Sequence, residues 1–298
     1  MKQIIFQGAA TALVTPMRQD GRLDLPLLET ITDWQIKSGI AALVPCGTTG
    51  EAATMTDDER FAVIETVVKA ADGRIPVIAG AGCNDTAKAA ANCRAAQKAG
   101  ADALLLVTPY YNKCTPKGLQ AHFMHLAAAA DLPVILYNVP SRTGVTIDME
   151  SRRVLSRCDS VVGIKEAGTD FSLIQQTAAE LKDTLPLYSG NDDLTLPLMA
   201  LGAVGCISVI SNLFPTKTQQ LCKAMLQNDP ETARALHYEL LPLMNALFCE
   251  VNPIPVKAAM GLIGYDCGSC RMPLSPIEPQ HLALLRQRLE ESNAIGLC

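Results

Sequence analysis

Eight short apolar runs recur along the chain, at residues 8–16, 40–47, 75–82, 101–109, 132–140, 160–168, 185–190 and 202–210. None alternates strictly between apolar and polar residues. A strand with one wet face alternates, whereas a strand covered on both faces reads as an unbroken apolar run. The segments between them carry apolar residues at helical spacing, as in DDERFAVIETVVKAADG (57–73) and TAKAAANCRAAQKAG (86–100), the latter stopping on Gly100. Parallel strands need such crossovers, which cover both faces of the sheet. Eight strand–helix units predict an α/β fold, a parallel (β/α)8 TIM barrel. The competing open, doubly wound sheet usually has a glycine-rich phosphate loop after its first strand, and Thr11–Asp20 has none.

The length of 298 residues suffices for this barrel, and 49% hydrophobic against 18% charged residues favours a large core over disorder. Beyond about residue 215 the helical patterns exceed what one closing helix needs, in 217–227, 231–248 and 279–292. The expected division is a barrel over 1–224 and a small C-terminal helical appendage over 225–298.

Net charge is −5, from 25 basic and 30 acidic residues without a basic stripe, which argues against nucleic acid or a membrane surface as partner. The apolar N-terminus MKQIIFQGAATALVTP is too short to span a bilayer and reads as a first strand, not a signal peptide. Eleven cysteines, odd in number and dispersed, include Cys46 and Cys206 inside apolar runs. That is the usage of free thiols in a reducing cytoplasm. Cys267 and Cys270 form one C-x-x-C pair; without a second pair or nearby histidines, a loop with free thiols is the plainer reading than zinc.

Barrel active sites are built at the carboxyl ends of the strands. The polar residues there are Gly47-Thr48-Thr49-Gly50-Glu51, Thr108-Pro109-Tyr110-Tyr111-Asn112, Tyr137 through Gly144, Lys165-Glu166 and Ser189-Gly190-Asn191-Asp192. The sixth run, VVGIKEAG, ends on a lysine. Lysine is seldom buried without a partner. An amine stripped of water favours its neutral, nucleophilic form, which can form a Schiff base with a carbonyl. The other reading pairs Lys165 with a strand-end carboxylate, although Glu166, next in the strand, points to the opposite face.

The neighbouring motifs leave two readings each. The N–H groups and hydroxyls of GTTGE could converge on a small carboxylate, or a threonine there could cap the next helix. Tyr137 could relay protons or be an amphipathic strand-end residue. Arg142 could grip a carboxylate in two-point fashion or make a surface ion pair. His122 and His125 lack a carboxylate at ligand spacing, His237 and His281 lie in helical stretches, and neither a metal nor a catalytic histidine is expected.

Six ordered stretches carry a resemblance along nearly the whole chain: GTTGE (47–51), VTPYYN (107–112), LYNVPSRTG (136–144), GIKEA (163–167), SGND (189–192) and NPIPVK (252–257). They resemble the pyruvate-dependent class I aldolase-like family. The resemblance implies a cytoplasmic lyase that condenses pyruvate with L-aspartate-4-semialdehyde, at the entry to diaminopimelate and lysine biosynthesis, without a metal or organic cofactor. It implies that Lys165 forms the Schiff base and that Thr48 and Thr49 hold the pyruvate carboxylate. Thr49 would also share a proton relay with Tyr137 and Tyr111, the last supplied across a dimer interface. Arg142 would receive the semialdehyde carboxylate, and the carbonyls of Gly190 and Ile207 would shape the lysine pocket. The implied assembly is a homotetramer, a dimer of dimers.

Feedback-inhibited members of that family bind lysine at the dimer interface through an asparagine, a tyrosine, a glutamate and histidines. Asn84 and Tyr110 match, but Lys88 stands in the glutamate position, and Asp57 and Arg60 in those of the histidines. An ammonium facing a ligand's ammonium repels it, so weak or absent inhibition by lysine is expected. Within the family, N-acetylneuraminate lyase and keto-deoxy sugar acid aldolases are the alternatives. A non-catalytic sensor on a barrel scaffold is the alternative of another class.

Overall fold

The structure, a computed structural model, describes residues 2–292. Eight strands, β1 (Gly8–Ala12), β2 (Ala42–Val44), β3 (Ile78–Gly80), β4 (Ala103–Val107), β5 (Val134–Asn138), β6 (Val161–Glu166), β7 (Leu187–Ser189) and β8 (Gly205–Ser208), form one parallel sheet. Its order is β2-β1-β8-β7-β6-β5-β4-β3. The ring closes between its outermost strands, where Leu43 bridges Val77 in parallel and Gly80 N donates to Pro45 O at 2.9 Å. That approach is close: a β-carbon on Gly80 would lie 2.0 Å from Cys46 O, so only glycine fits the seam. The fold is the (β/α)8 barrel.

The helices are α1 (Leu25–Lys37), α2 (Asp57–Ala71), α3 (Thr86–Lys98), α4 (Pro116–Ala127), the short α5 (Pro140–Thr143), α6 (Met149–Leu155), α7 (Phe171–Leu181), α8 (Thr195–Ala200), α9 (Pro215–Leu226), α10 (Pro230–Ala246), α11 (Ile254–Leu262) and α12 (Pro279–Glu291). Asp24, Thr56, Asp85, Thr115, Asp148, Asp170 and Asp229 cap seven of them by accepting from backbone N–H groups of the first turn. Thr56 and Glu59 form a reciprocal capping box on α2. The threonines of GTTGE are therefore not needed as caps.

Strand alternation sorts side chains into two cores. On β5, Val134 and Leu136 face the helices, while Ile135 and Tyr137 enter the barrel. Each fully buried aliphatic side chain contributes roughly 1.5–3 kcal/mol. The amino-terminal end of the barrel is plugged by Phe6 stacked on Tyr188, centroids 4.5 Å apart, with Tyr188 O–H donating to Phe6 O at 3.0 Å. The opposite end is where polar groups gather.

The β5–β6 register pairs Tyr137 with Lys165 and Asn138 with Glu166. Tyr137 and Lys165 therefore share the mouth, whereas Asn138 and Glu166 face the helices. Behind the sheet, the Arg152 guanidinium meets Glu166 at 2.5 Å with both side chains at most 1% exposed. Glu166 Oε1 also accepts from Asn138 Nδ2 and Gly168 N, and Asn138 Oδ1 accepts from Ile147 N. Arg152 donates further to Ile147 O and Thr177 Oγ1. The network joins both strands and the helix layer directly under the mouth.

Candidate active site

The GTTGE turn follows β2. It is closed by Glu51 N donating to Thr48 O at 3.1 Å and braced by Thr15 Oγ1 donating to Gly50 O at 2.9 Å. Cys46 and Glu51 sit at its two ends with φ of 56° and 55°, in the left-handed region. Thr49 is buried, and its hydroxyl oxygen accepts from Asn252 Nδ2 at 3.0 Å.

A cavity of about 340 Å³ opens at the carboxyl end of the barrel, lined by Thr48, Tyr110, Tyr137, Arg142 and Asn252 among others. Arg142 lies on α5, and its guanidinium reaches the carbonyl of Asn252 at 3.5 Å. It makes no ion pair among the described residues, so the surface-pair reading falls away. The cavity wall on the β5 side is Tyr137, and Lys165 lies beyond it, on the next strand.

Lys165 is 5% exposed, with Nζ 4.4 Å from the centroid of the Tyr137 ring. No carboxylate comes within 4.0 Å of its amine among the described residues; Glu166 is committed to Arg152 on the far side of the sheet. Gly190 lies beside it: a β-carbon there would sit 3.1 Å from Lys165 Cε and 2.8 Å from Ala167 Cβ, so a side chain would press the lysine out of place. Ile207 lies on β8 inside the barrel core. Burial pushes the Asp192 carboxyl up, against hydrogen bonding from Ser208, Ile210 N and Val209 N and the nearby charge of Lys165.

The structure brings Lys165, Tyr137, Thr48, Thr49, Arg142 and Gly190 to one mouth. It does not bring Tyr111 there. That side chain is 88% exposed on a backbone with φ of 73°, directed away from its own chain's cavity. Asn84 Nδ2 donates to Tyr110 O at 3.3 Å, and Lys88 pairs with Asp57 at 3.4 Å on an open surface. Arg60 binds the carbonyl of Ala52 and lines the cavity.

Two further residues at the site had no assigned role. Asn252 touches Thr49, and Lys257 pairs with Glu51 at 2.7 Å, both side chains 1% exposed. Both lie in NPIPVK, far from any strand end. A signal existed: Lys257 is the lone charge in the apolar helix IPVKAAMGL, an amine set in an apolar run much as Lys165 is in VVGIKEAG.

The ten described cysteines are free, and burial pushes Cys46, Cys93, Cys267 and Cys270 up to about 12, which keeps them as inert thiols. Cys298 lies outside the described residues. Among the described residues no three His, Cys, Asp or Glu side chains cluster as a metal site, and no helix is long and apolar enough to cross a membrane.

A buried lysine with no carboxylate within 4.0 Å of its amine among the described residues is thus set against a tyrosine in the mouth of a parallel eight-stranded barrel, the fold of many barrel enzymes. Residues 5–292 match the Dihydrodipicolinate synthetase family, and the chain belongs to it. It is 46% identical to the 4-hydroxy-tetrahydrodipicolinate synthase of Thermoanaerobacter sp. (strain X514) over 288 residues, 96% of this chain and 97% of the relative. Identity is also 46% to the enzyme of that name from Exiguobacterium sibiricum, over 98% of this chain and all of the relative. Among solved structures, the chloride-inhibited dihydrodipicolinate synthase from Acinetobacter baumannii, complexed with pyruvate, superposes with a TM-score of 0.96 at 41% identity, covering 98% of this chain and 100% of that one.

Proposed function

We propose that the protein condenses pyruvate with L-aspartate-4-semialdehyde to give 4-hydroxy-tetrahydrodipicolinate, through a Schiff base on Lys165. The observation that carries this reading is the unpaired, buried Lys165 amine over the Tyr137 ring, in a chain 46% identical to synthases of that name. The Lys165 amine adds to the ketone of pyruvate and water leaves, giving an imine. The imine draws electrons from the methyl group, a proton departs, and the resulting enamine attacks the aldehyde carbon. The new alkoxide takes a proton, and the substrate's own amine displaces Lys165 as the ring closes. The lysine is the electron sink, so the sequence of steps calls on no metal or organic cofactor.

Thr48 and Thr49 hold the pyruvate carboxylate in this reading, and Arg142 takes the carboxylate of the semialdehyde. Gly190 and Ile207 bound the lysine pocket. Thr49 and Tyr137 carry protons, with Tyr111 supplied by a second chain. The outward Tyr111 supports a paired assembly, since a side chain 88% exposed on an uncommon backbone conformation gains nothing in an isolated chain. We place the enzyme in the cytoplasm as a dimer of dimers, in line with its free thiols.

The test is an assay with the two candidate aldehydes. Turnover with pyruvate and aspartate semialdehyde is expected to exceed that with pyruvate and N-acetylmannosamine by about 10³-fold or more, the discrimination given by a site built for a particular polar group. Faster turnover of the sugar would move the chain to the sugar-acid aldolases.

The Lys88 position carries a second expectation. The Lys88–Asp57 pair puts an ammonium where lysine's own ammonium would need a carboxylate. Millimolar lysine is therefore expected to leave the rate unchanged, and half-inhibition below 1 mM, at about 4 kcal/mol of binding or more, would contradict it.

A further inference from the structure

A second buried charge pair, Lys257–Glu51, holds the turn that the chemistry needs. Lys257 Nζ donates to Glu51 Oε1 at 2.7 Å and to Ser269 O at 3.1 Å, while Glu51 Oε2 accepts from Arg271 N at 2.9 Å. Arg271 is itself fixed: its guanidinium binds the carbonyls of Gly21 and Thr54 and holds the Glu59 carboxyl down to about 2. Five residues before Lys257, Asn252 donates to Thr49. The segment from Asn252 to Arg271 thus crosses back over the barrel and grips the GTTGE turn at two points.

Stability does not account for the pair. Taking an ammonium and a carboxylate out of water costs several kcal/mol per ion, and an apolar pair of similar volume serves a core as well or better. What the pair adds is geometry. Glu51 has a φ of 55°, a left-handed conformation that is strained for an ordinary residue and persists only where its surroundings enforce it. Released, the turn could relax, and Thr48 and Thr49 would lose their alignment with the mouth. The Asn252 contact acts in the same sense: by filling one acceptor position of the Thr49 hydroxyl, it leaves the O–H proton to point elsewhere.

We infer that Lys257, acting through Glu51, is a positioning residue that strains the Thr48–Thr49 turn into its pyruvate-binding shape. The inference rests on the reading that these threonines hold pyruvate. Its test compares Lys257→Met with the double variant Glu51→Gln/Lys257→Met. Removing only Lys257 leaves a buried, unpaired carboxylate and lowers the melting temperature; removing both charges restores most of it. In both variants the KM for pyruvate is expected to rise by about ten-fold or more, while the KM for the aldehyde stays within about two-fold. A purely structural pair would let the double variant regain wild-type KM values, and that result overturns the inference, as does a parallel rise in both KM values. Should Lys257→Met not fold, the double variant alone decides. Borohydride trapping of pyruvate on the wild type separates the two levels: no adduct there brings down the functional reading and the inference with it, whereas a normal adduct with an unchanged double variant brings down the positioning role alone.

Discussion

Lys165→Ala is expected to lower kcat by about 10⁴-fold or more while leaving the fold intact. The first half follows from chemistry. Every step from imine to ring closure passes through the nitrogen of Lys165, just behind the Tyr137 wall, and no lysine lines the cavity itself to take its place. The second half follows from the surroundings. The Lys165 amine makes no ion pair among the described residues; its one specific contact is the face of Tyr137, worth about 0.5–2 kcal/mol. Burying an amine with no carboxylate within 4.0 Å is costly, so the alanine variant should melt at the same temperature or higher. Circular dichroism and a rate assay on one preparation test both halves. A variant that loses activity by unfolding would make Lys165 a structural residue.

The opposite pattern is expected at the other charge under the mouth. Arg152→Met or Glu166→Leu alone should destabilise by about 3–5 kcal/mol, because each strands a fully buried partner charge. The double variant Arg152→Met/Glu166→Leu should regain most of that loss. Denaturant unfolding measures it, as a midpoint shift at constant slope. Glu166 also ties β5 to β6 through Asn138, so the single variants should loosen the Tyr137–Lys165 pairing. Costs below about 1 kcal/mol would mean that water or a rearranged partner satisfies the stranded charge.

Adjacent residues of one strand thus do opposite things. Lys165 and Glu166 look alike in sequence, a charged pair closing an apolar run, and the two-residue alternation of a strand sends one into the mouth and the other into the helix layer. That much was legible beforehand. All eight strands fall within the apolar runs, though each is shorter. The first run continues to Pro16 while β1 stops at Ala12, because apolar residues also line the loop that leads to the mouth.

The contacts that cross the fold were not legible. Nothing near Glu166 in the chain announces Arg152, which arrives from α6 only once the helix packs. Lys257 and Asn252 come from beyond the last strand, so reading polar residues only at strand ends could not reach them. Tyr111 was legible as a polar strand-end residue, but its outward direction depends on a positive φ that its residue type does not favour.

On this reading the nucleophile is the Lys165 amine, which β6 carries with no ion pair among the described residues. Borohydride reduction in the presence of pyruvate, followed by intact mass and peptide mapping, tests it directly. One pyruvate-derived adduct per chain is expected, on Lys165, and none in Lys165→Ala. No adduct on the wild type, or an adduct of equal yield in the alanine variant, would contradict it.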